Sequence, residues 1–362
     1  MARVDLSDYG YVNARVRGMR AHLLKKGFFM RLVEAEDFET IHNMMEQTVY
    51  RREMNEALLL KPERPDYDQA LNLNLIAALR KIHDATGGEA RRLVTMLLSK
   101  YDRHILKAFI RGKQGNATPG EIMSLLIPLG SLRMDVLEDM AREREIQDVI
   151  ATMQAHGIKY GKVLAKALPD YLERERDLAV LELALDKAHY RESMLKLKGR
   201  DPNVEMVRQM FSAQIDIRNI STLVRIRGLK LEDEEVENLR IPLGSLTAEQ
   251  FLELYKLGDI ASIVSEYPDV RYRRLLERAL AEYQELDVVA FDRELERELI
   301  RLGAGMSNVD VLGIGVIIGF MVLKENELVN LRVVLKGKEI ERSSADIRKD
   351  LFFIEREGAE VA

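Results

Sequence analysis

Apolar residues recur at helical spacing along almost the whole chain. Val12, Val16, Met19 and Leu23 fall at i, i+4, i+7 and i+11, one stripe of one helix. Leu106, Phe109, Ile110 and Lys113 continue a stripe that begins at Asp102. No period-two alternation is sustained. The short candidates at 331–335 and 105–110 fit a helix better once the chain is aligned with itself. The pattern predicts an all-α protein.

That alignment is the strongest signal in the chain. Residues 101–132 lie over residues 215–246 without a gap, at a shift of 114. Asp102 falls on Asp216, Arg111 on Arg225, Glu121 on Glu235, and IPLGSL on itself. A more diverged copy follows 111 residues later, with Glu327 under Asp216, Lys336 under Arg225 and Lys338 under Arg227. Thr118-Pro119-Gly120-Glu121 reads as a capping box with proline at the first helical position. Glu232 with Glu235, and Ser343 with Asp346, hold the same two places, and Ile122, Val236 and Ile347 supply one apolar position after each. Pro128 and Pro242 should stop a helix. Gly130 and Gly244 are expected to take a left-handed turn, and Ser131 or Thr247 to cap the next helix. A shorter echo relates Tyr50–Met54 to Tyr190–Met194. The repeat predicts three similar helical units, 1–132, 133–246 and 247–362, with no Gly/Ser linker between them. Such a shape suits a socket, a ring adaptor or a scaffold better than a catalytic centre, where unlike groups converge on one point.

Composition narrows the chemistry. Acids outnumber bases, 60 to 55, and aromatics make up 6% with no Trp, so neither a positive field nor stacking platforms invite nucleic acid. The absence of Cys removes disulfides, thiolate metal ligands and a thiol nucleophile. The first ten residues have no apolar core of a signal peptide. The uncharged run 311–323 is 13 residues long, short of the about 20 needed to span a bilayer, and reads as a buried helix packed through Gly313, Gly315 and Gly319. The six histidines show no metal-binding spacing, and those glycines lack the dinucleotide-binding pattern. No catalytic residue, cofactor site or metal site is expected.

The repeated polar positions are more informative. Asp102 and Lys113 return to one helix face, whereas Arg111 faces the other way. An acid on an inward stripe needs a partner. Asp102, Lys113, Asp216, Arg227, Glu327 and Lys338 are therefore expected in ion pairs that fix helix packing. The outward Arg111, Arg225 and Lys336 are expected to line a surface that grips a partner.

Three segments resemble one family, the C subunits of archaeal-type ATP synthases, homologous to the d subunits of vacuolar ATPases. Tyr9, Tyr11, Val12, Asn13, Ala14, Arg15, Val16 and Arg17 match its opening helix. Asp216, Asn219, Ile220, Leu223, Arg225 and Arg227 match its middle signature. Gly319, Lys324, Glu325, Glu327, Asn330, Leu331, Arg332, Gly337 and Lys338 match its C-terminal motif, with Phe320 and Leu328 as mild departures. His104 and Ile105 stand where the first copy would carry the Asn signature, so that copy is degenerate. The resemblance implies a funnel of three helical units about a pseudo-threefold axis. It implies a non-catalytic component on the cytoplasmic face of the membrane, between the central shaft and the membrane rotor ring, without transmembrane insertion. An all-helical interaction scaffold unrelated to rotary ATPases is the alternative.

Overall fold

The computed structural model describes residues 7–60, 65–282 and 288–354, and among these every regular element is a helix. The chain opens with α1 (Ser7–Ala21), α2 (Lys26–Glu34), α3 (Phe38–Met45), α4 (Arg51–Leu60), α5 (Tyr67–Ala85) and α6 (Gly88–Leu98). Next come α7 (Lys100–Gln114), α8 (Pro119–Ser124), α9 (Met134–Arg142), α10 (Ile146–Ala155), α11 (Lys159–Glu173) and α12 (Leu178–Lys196). A further six are α13 (Pro202–Ile226), α14 (Asp233–Leu239), α15 (Ala248–Lys256), α16 (Ile260–Ser265), α17 (Val270–Glu282) and α18 (Val288–Val309). The last two are α19 (Ile314–Glu339) and α20 (Ser344–Asp350). They fall into two compact units. One joins Met1–Thr95 to Gly303–Ala362, and the other is Met96–Leu302.

The order of elements recurs. A long helix, a six- or seven-residue helix and a nine-residue helix are followed by two helices of between six and fifteen residues and another long one. α7–α12 and α13–α18 run this way in uninterrupted sequence. The series that opens with α19 and α20 is completed by α2–α5 from the start of the chain, and α19 packs on both α2 and α5. The sequence division at 132 would place α5 with α7, whereas the contacts place it against α19. Each of the first two series has its own apolar core. One centres on Leu106, Phe109, Leu137, Met153 and Leu185. The other centres on Leu223, Val236, Phe251, Tyr267 and Leu295.

Local chemistry sets the ends of the short second helices. Thr118 and Glu121 form the expected reciprocal capping box ahead of α8, Glu232 and Glu235 do so ahead of α14, and Ser343 accepts from the Asp346 amide ahead of α20. The turn before α8 brings Ile122 against Gly112, where a Cβ would lie 2.6 Å from the isoleucine Cγ1. Gly337 stands in the same relation to Ile347, also at 2.6 Å. In both turns the chain reverses through a left-handed residue, Asn116 and Glu341, each at φ 54°.

Some expectations fail locally. Gly130 and Gly244 are not left-handed; Leu243 is, at φ 74°. The two glycines are needed because a carboxylate stands against them, as described below. Ser131 does not cap α9, whose N-cap is Arg133, whereas Thr247 does cap α15. The run 311–323 is buried from Gly313 to Met321, with Val322 and Leu323 half-buried, but Val311 and Leu312 are exposed in the turn before α19. Tyr50 precedes α4 and Tyr190 lies inside α12, so their shared motif marks no shared place in the helices, although both rings are buried, each beneath a cation.

Candidate functional site

The repeated inward acids hold turns. Asp102 is buried on α7 and accepts from the Ser131 amide at 2.8 Å, the Ser131 hydroxyl at 2.8 Å and the Leu132 amide at 3.1 Å. Asp216, buried on α13, accepts from the Ser245 amide at 2.6 Å. Burial pushes the Asp216 carboxyl above its ordinary value, against the pull of that hydrogen bond. A Cβ on Gly130 would sit 2.0 Å from Asp102 Oδ1, and one on Gly244 would sit 2.4 Å from Asp216 Oδ1. The glycine of IPLGSL is thus the space the acid occupies.

Glu327 on α19 is the third acid, and its surroundings differ. It accepts from the Leu24 amide at 2.5 Å, the Tyr50 hydroxyl at 2.7 Å and Lys324 Nζ at 2.7 Å. Lys324 Nζ also meets the Tyr50 hydroxyl at 2.8 Å and lies 4.1 Å from the centre of its ring. All three side chains are buried. Burial lowers the Lys324 ammonium, and burial together with the Glu327 charge pushes the Tyr50 phenol well up. Of the three acids, Glu327 alone forms an ion pair among the described residues.

The inward cations cap helices instead of meeting the acids. Lys113 Nζ donates to the carbonyls of Ala141 at 2.7 Å and Glu143 at 2.6 Å, at the C-terminus of α9. Lys338 Nζ donates to the Ala35 carbonyl at 2.7 Å, just past α2. A cation there satisfies orphan carbonyls and faces the negative end of the helix dipole. Arg227 donates to the Val224 carbonyl of its own helix.

The outward cations are already engaged. Arg111 forks onto Glu182 of α12 at 2.5 and 2.7 Å. Arg225 pairs with Asp292 of α18, and Lys336 reaches Asp68 of α5 at 3.2 Å. Their side chains are similarly exposed, at 63%, 61% and 58%. Behind Arg111 the contact continues inward, with Lys107 to Asp186 at 2.8 Å. Behind Lys336 the matching rung is Arg332 to Asn72 at 2.5 Å. These residues tie one long helix to another within each series.

Two features escaped sequence reasoning. Asn219 exchanges two hydrogen bonds with the Ile241 backbone, at 2.9 and 2.8 Å, and Asn330 does the same with Phe352, at 2.8 and 3.0 Å. The pairs 219/241 and 330/352 are both 111 apart, so the alignment held this signal, while Ile105 has no amide to offer. The second feature is charge: residues 9–33 hold six Lys and Arg and no Asp or Glu. A count of charge along the chain would have found it. Among the described residues no group of His, Asp or Glu is arranged to hold a metal, and no helix is long and apolar enough to cross a membrane.

Comparison with known proteins agrees with these repeated positions. The chain is 28% identical over 340 residues to the C subunit of the A-type ATP synthase of Methanocaldococcus jannaschii, covering 92% of this chain and 84% of that one. It is 28% identical to the C subunit of the A-type ATP synthase of Archaeoglobus fulgidus, over 96% of both chains. It is 27% identical to the C subunit of the V-type ATP synthase of Deinococcus radiodurans, over 95% of this chain and 91% of that one. Residues 12–350 match the family described as ATP synthase (C/AC39) subunit, a span that takes in Asp102, Asp216 and Glu327 with the cations that repeat beside them, and the chain belongs to that family.

Proposed function

We propose that this protein is a non-catalytic central-stalk subunit of a rotary ATP synthase or ATPase. It seats the foot of the central shaft on the membrane rotor ring and passes torque between them during proton or sodium transport. The three series of helices are related by an approximate threefold rotation into a funnel. The protein works at the cytoplasmic face of the membrane as a peripheral component.

One observation carries the reading. The same polar device recurs at aligned places on α7, α13 and α19, and its groups are engaged with the fold itself. Buried carboxylates latch turns, and outward cations clamp the neighbouring long helix. Such cross-ties stiffen a helical body, and stiffness is what a torque adaptor requires. Family membership supplies the machine in which that stiffness has a use. Co-sedimentation of the purified chain with the detergent-solubilised rotor ring and with the shaft subunits tests the reading. Binding to both is expected, with no ATP hydrolysis by the chain alone. Binding to neither would leave an interaction scaffold as the better description.

A further inference from the structure

We infer that the exposed half of α1 and the groove beside α2 form the surface this protein turns toward the membrane rotor ring, at the level of the lipid headgroups. The inference rests on the central-stalk reading and names the face that does the docking.

Charge is the first observation. The whole chain carries a net charge of −5, yet residues 9–33 carry six Lys and Arg and no acid. The cations expected at an interface, Arg111, Arg225 and Lys336, are each neutralised by an acid of the fold. Three of the N-terminal cations contact neutral groups. Arg15 donates to the Tyr11 hydroxyl at 3.1 Å, Arg17 donates to the Val311 carbonyl, and Arg31 lies 5.6 Å from the centre of the Phe28 ring. Arg15, Arg17, Lys25 and Arg31 are all exposed. Among the described residues none of the four forms an ion pair, although Arg31 also lines a cavity with Glu34 and Glu36.

Shape is the second. Tyr11, Arg15, Gly18 and His22 follow one another at i, i+4, i+7 and i+11 along the solvent side of α1. Past the end of α1 this side meets a groove of about 740 Å³, whose walls include His22, Lys25, Phe28, Arg31 and Val49. From the middle of α1, Asn13 donates to the carbonyls of Leu312 and Gly313 at 2.7 and 3.1 Å. That anchors the turn before α19, where Val311 is 52% and Leu312 56% exposed, and on α1 itself Tyr11 is 66% exposed. Exposed aliphatic side chains, an amphipathic tyrosine and unneutralised cations together suit the boundary between water and a bilayer. The cytoplasmic leaflet is anionic and attracts Lys and Arg close to its surface, so a basic face suits a partner embedded there. The concave groove beside the flat face favours a protein projection over lipid alone. The occupant is the headgroup-level end of the rotor ring.

The test measures binding of the full chain to the solubilised ring, to the isolated shaft subunits, and to phosphatidylcholine vesicles containing 30% phosphatidylglycerol. The variant Arg15→Gln/Arg17→Gln/Lys25→Gln/Arg31→Gln should bind the ring at least tenfold more weakly, with a shallower salt dependence, and should bind the shaft unchanged. Because Arg17 holds the Val311 carbonyl, the variant Lys25→Glu/Arg31→Glu, confined to the groove, serves as a second probe. It should show the same selective loss at an unchanged melting temperature. Unchanged ring binding by both variants overturns the inference and leaves the central-stalk reading intact. Loss of shaft binding, or loss confined to vesicles, overturns it in favour of the shaft or of lipid. If the unaltered chain binds neither ring nor shaft, the central-stalk reading falls and this inference falls with it.

Discussion

α7 and α19 carry the same polar positions, and they satisfy a buried acid in opposite ways. Asp102 on α7 is short. The IPLGSL turn comes to it, with Gly130 making room and the Ser131 and Leu132 amides donating. Glu327 on α19 is one methylene longer and reaches out to the Leu24 amide. The turn that helps to close its series comes from the start of the chain, and a lysine and a tyrosine fill the remaining space. One latch is neutral apart from its acid, and the other is a buried ion pair. The difference teaches that the position is kept for its geometry, an acceptor aimed at a turn amide, whatever else neutralises the charge.

The charged latch should be the more fragile. Glu327→Ala strands a buried ammonium and a buried phenol, and breaking such a pair costs about 3–5 kcal/mol. Equilibrium denaturation in urea would read this as a large fall in midpoint. Replacing the pair together, Lys324→Met with Glu327→Met, should recover much of the loss, because no unpaired charge remains. A double variant as unstable as the single one would show that the turn amide, not the ion pair, carries the energy.

Acid should separate the two regions in the other direction. His189 of α12 is buried, its Nδ1 is 3.3 Å from the Tyr160 hydroxyl, and burial followed by the Arg103 charge lowers its pKa to about 3. A pKa lowered on folding gives stability that is complete above the ordinary value of 6.5 and is lost as pH falls from there toward 3. The slope contributed by one such group is about 1.4 kcal/mol per pH unit. Hydrogen exchange at pH 4 should therefore open α7 and α12 before α5 and α19. His189→Gln should flatten that limb, and an unaltered profile would assign the acid sensitivity elsewhere.

Gly130→Ala sharpens the contrast at smaller amplitude. The new methyl group would meet the Asp102 carboxylate, and forced overlap of this kind costs about 1–3 kcal/mol. Gly244→Ala should behave alike against Asp216. Pairing Gly130→Ala with Asp102→Ala should give much less than the sum of the two, as expected for residues in contact. Strict additivity would mean the glycine serves the backbone and not the acid.

The all-α fold, the capping boxes of α8 and α14, the Ser343 cap of α20 and the buried positions Ile122, Val236 and Ile347 were legible because each depends on residues a few places apart. The inward placement of Asp102, Asp216 and Glu327 was legible for the same reason, since a helix fixes which positions share a face. Their partners were not. Ser131 stands 29 residues from Asp102, and Leu24 stands 303 from Glu327, separations over which spacing carries no geometry. Charge matching pointed to Lys113, which is on the correct face but about 16 Å along the helix at 1.5 Å per residue. The Tyr50 motif misled for the converse reason: three matching letters in a run of five do not fix a place in a fold.

Arg111, Arg225 and Lys336 give the smallest expected effect on stability and the most direct measure of how alike the series are. Each pair is more than half exposed on the cationic side, where screening by water and salt holds such pairs to about 0–1 kcal/mol. Arg111→Gln should cost the most of the three, because its guanidinium forks onto both oxygens of Glu182, a carboxylate only 18% exposed, at 2.5 and 2.7 Å. Lys336→Gln should cost the least, since its single-point contacts go to Asp68 at 3.2 Å and Glu339 at 2.9 Å, acids that are 38% and 39% exposed. Melting temperatures in low and high salt would rank them, and the gaps should narrow as salt rises. If instead charge reversal at all three left melting unchanged but abolished ring or shaft binding, these cations would be partner contacts that rest on intramolecular acids only while no partner is bound, and the division of labour between them and the basic stretch at 9–33 would collapse.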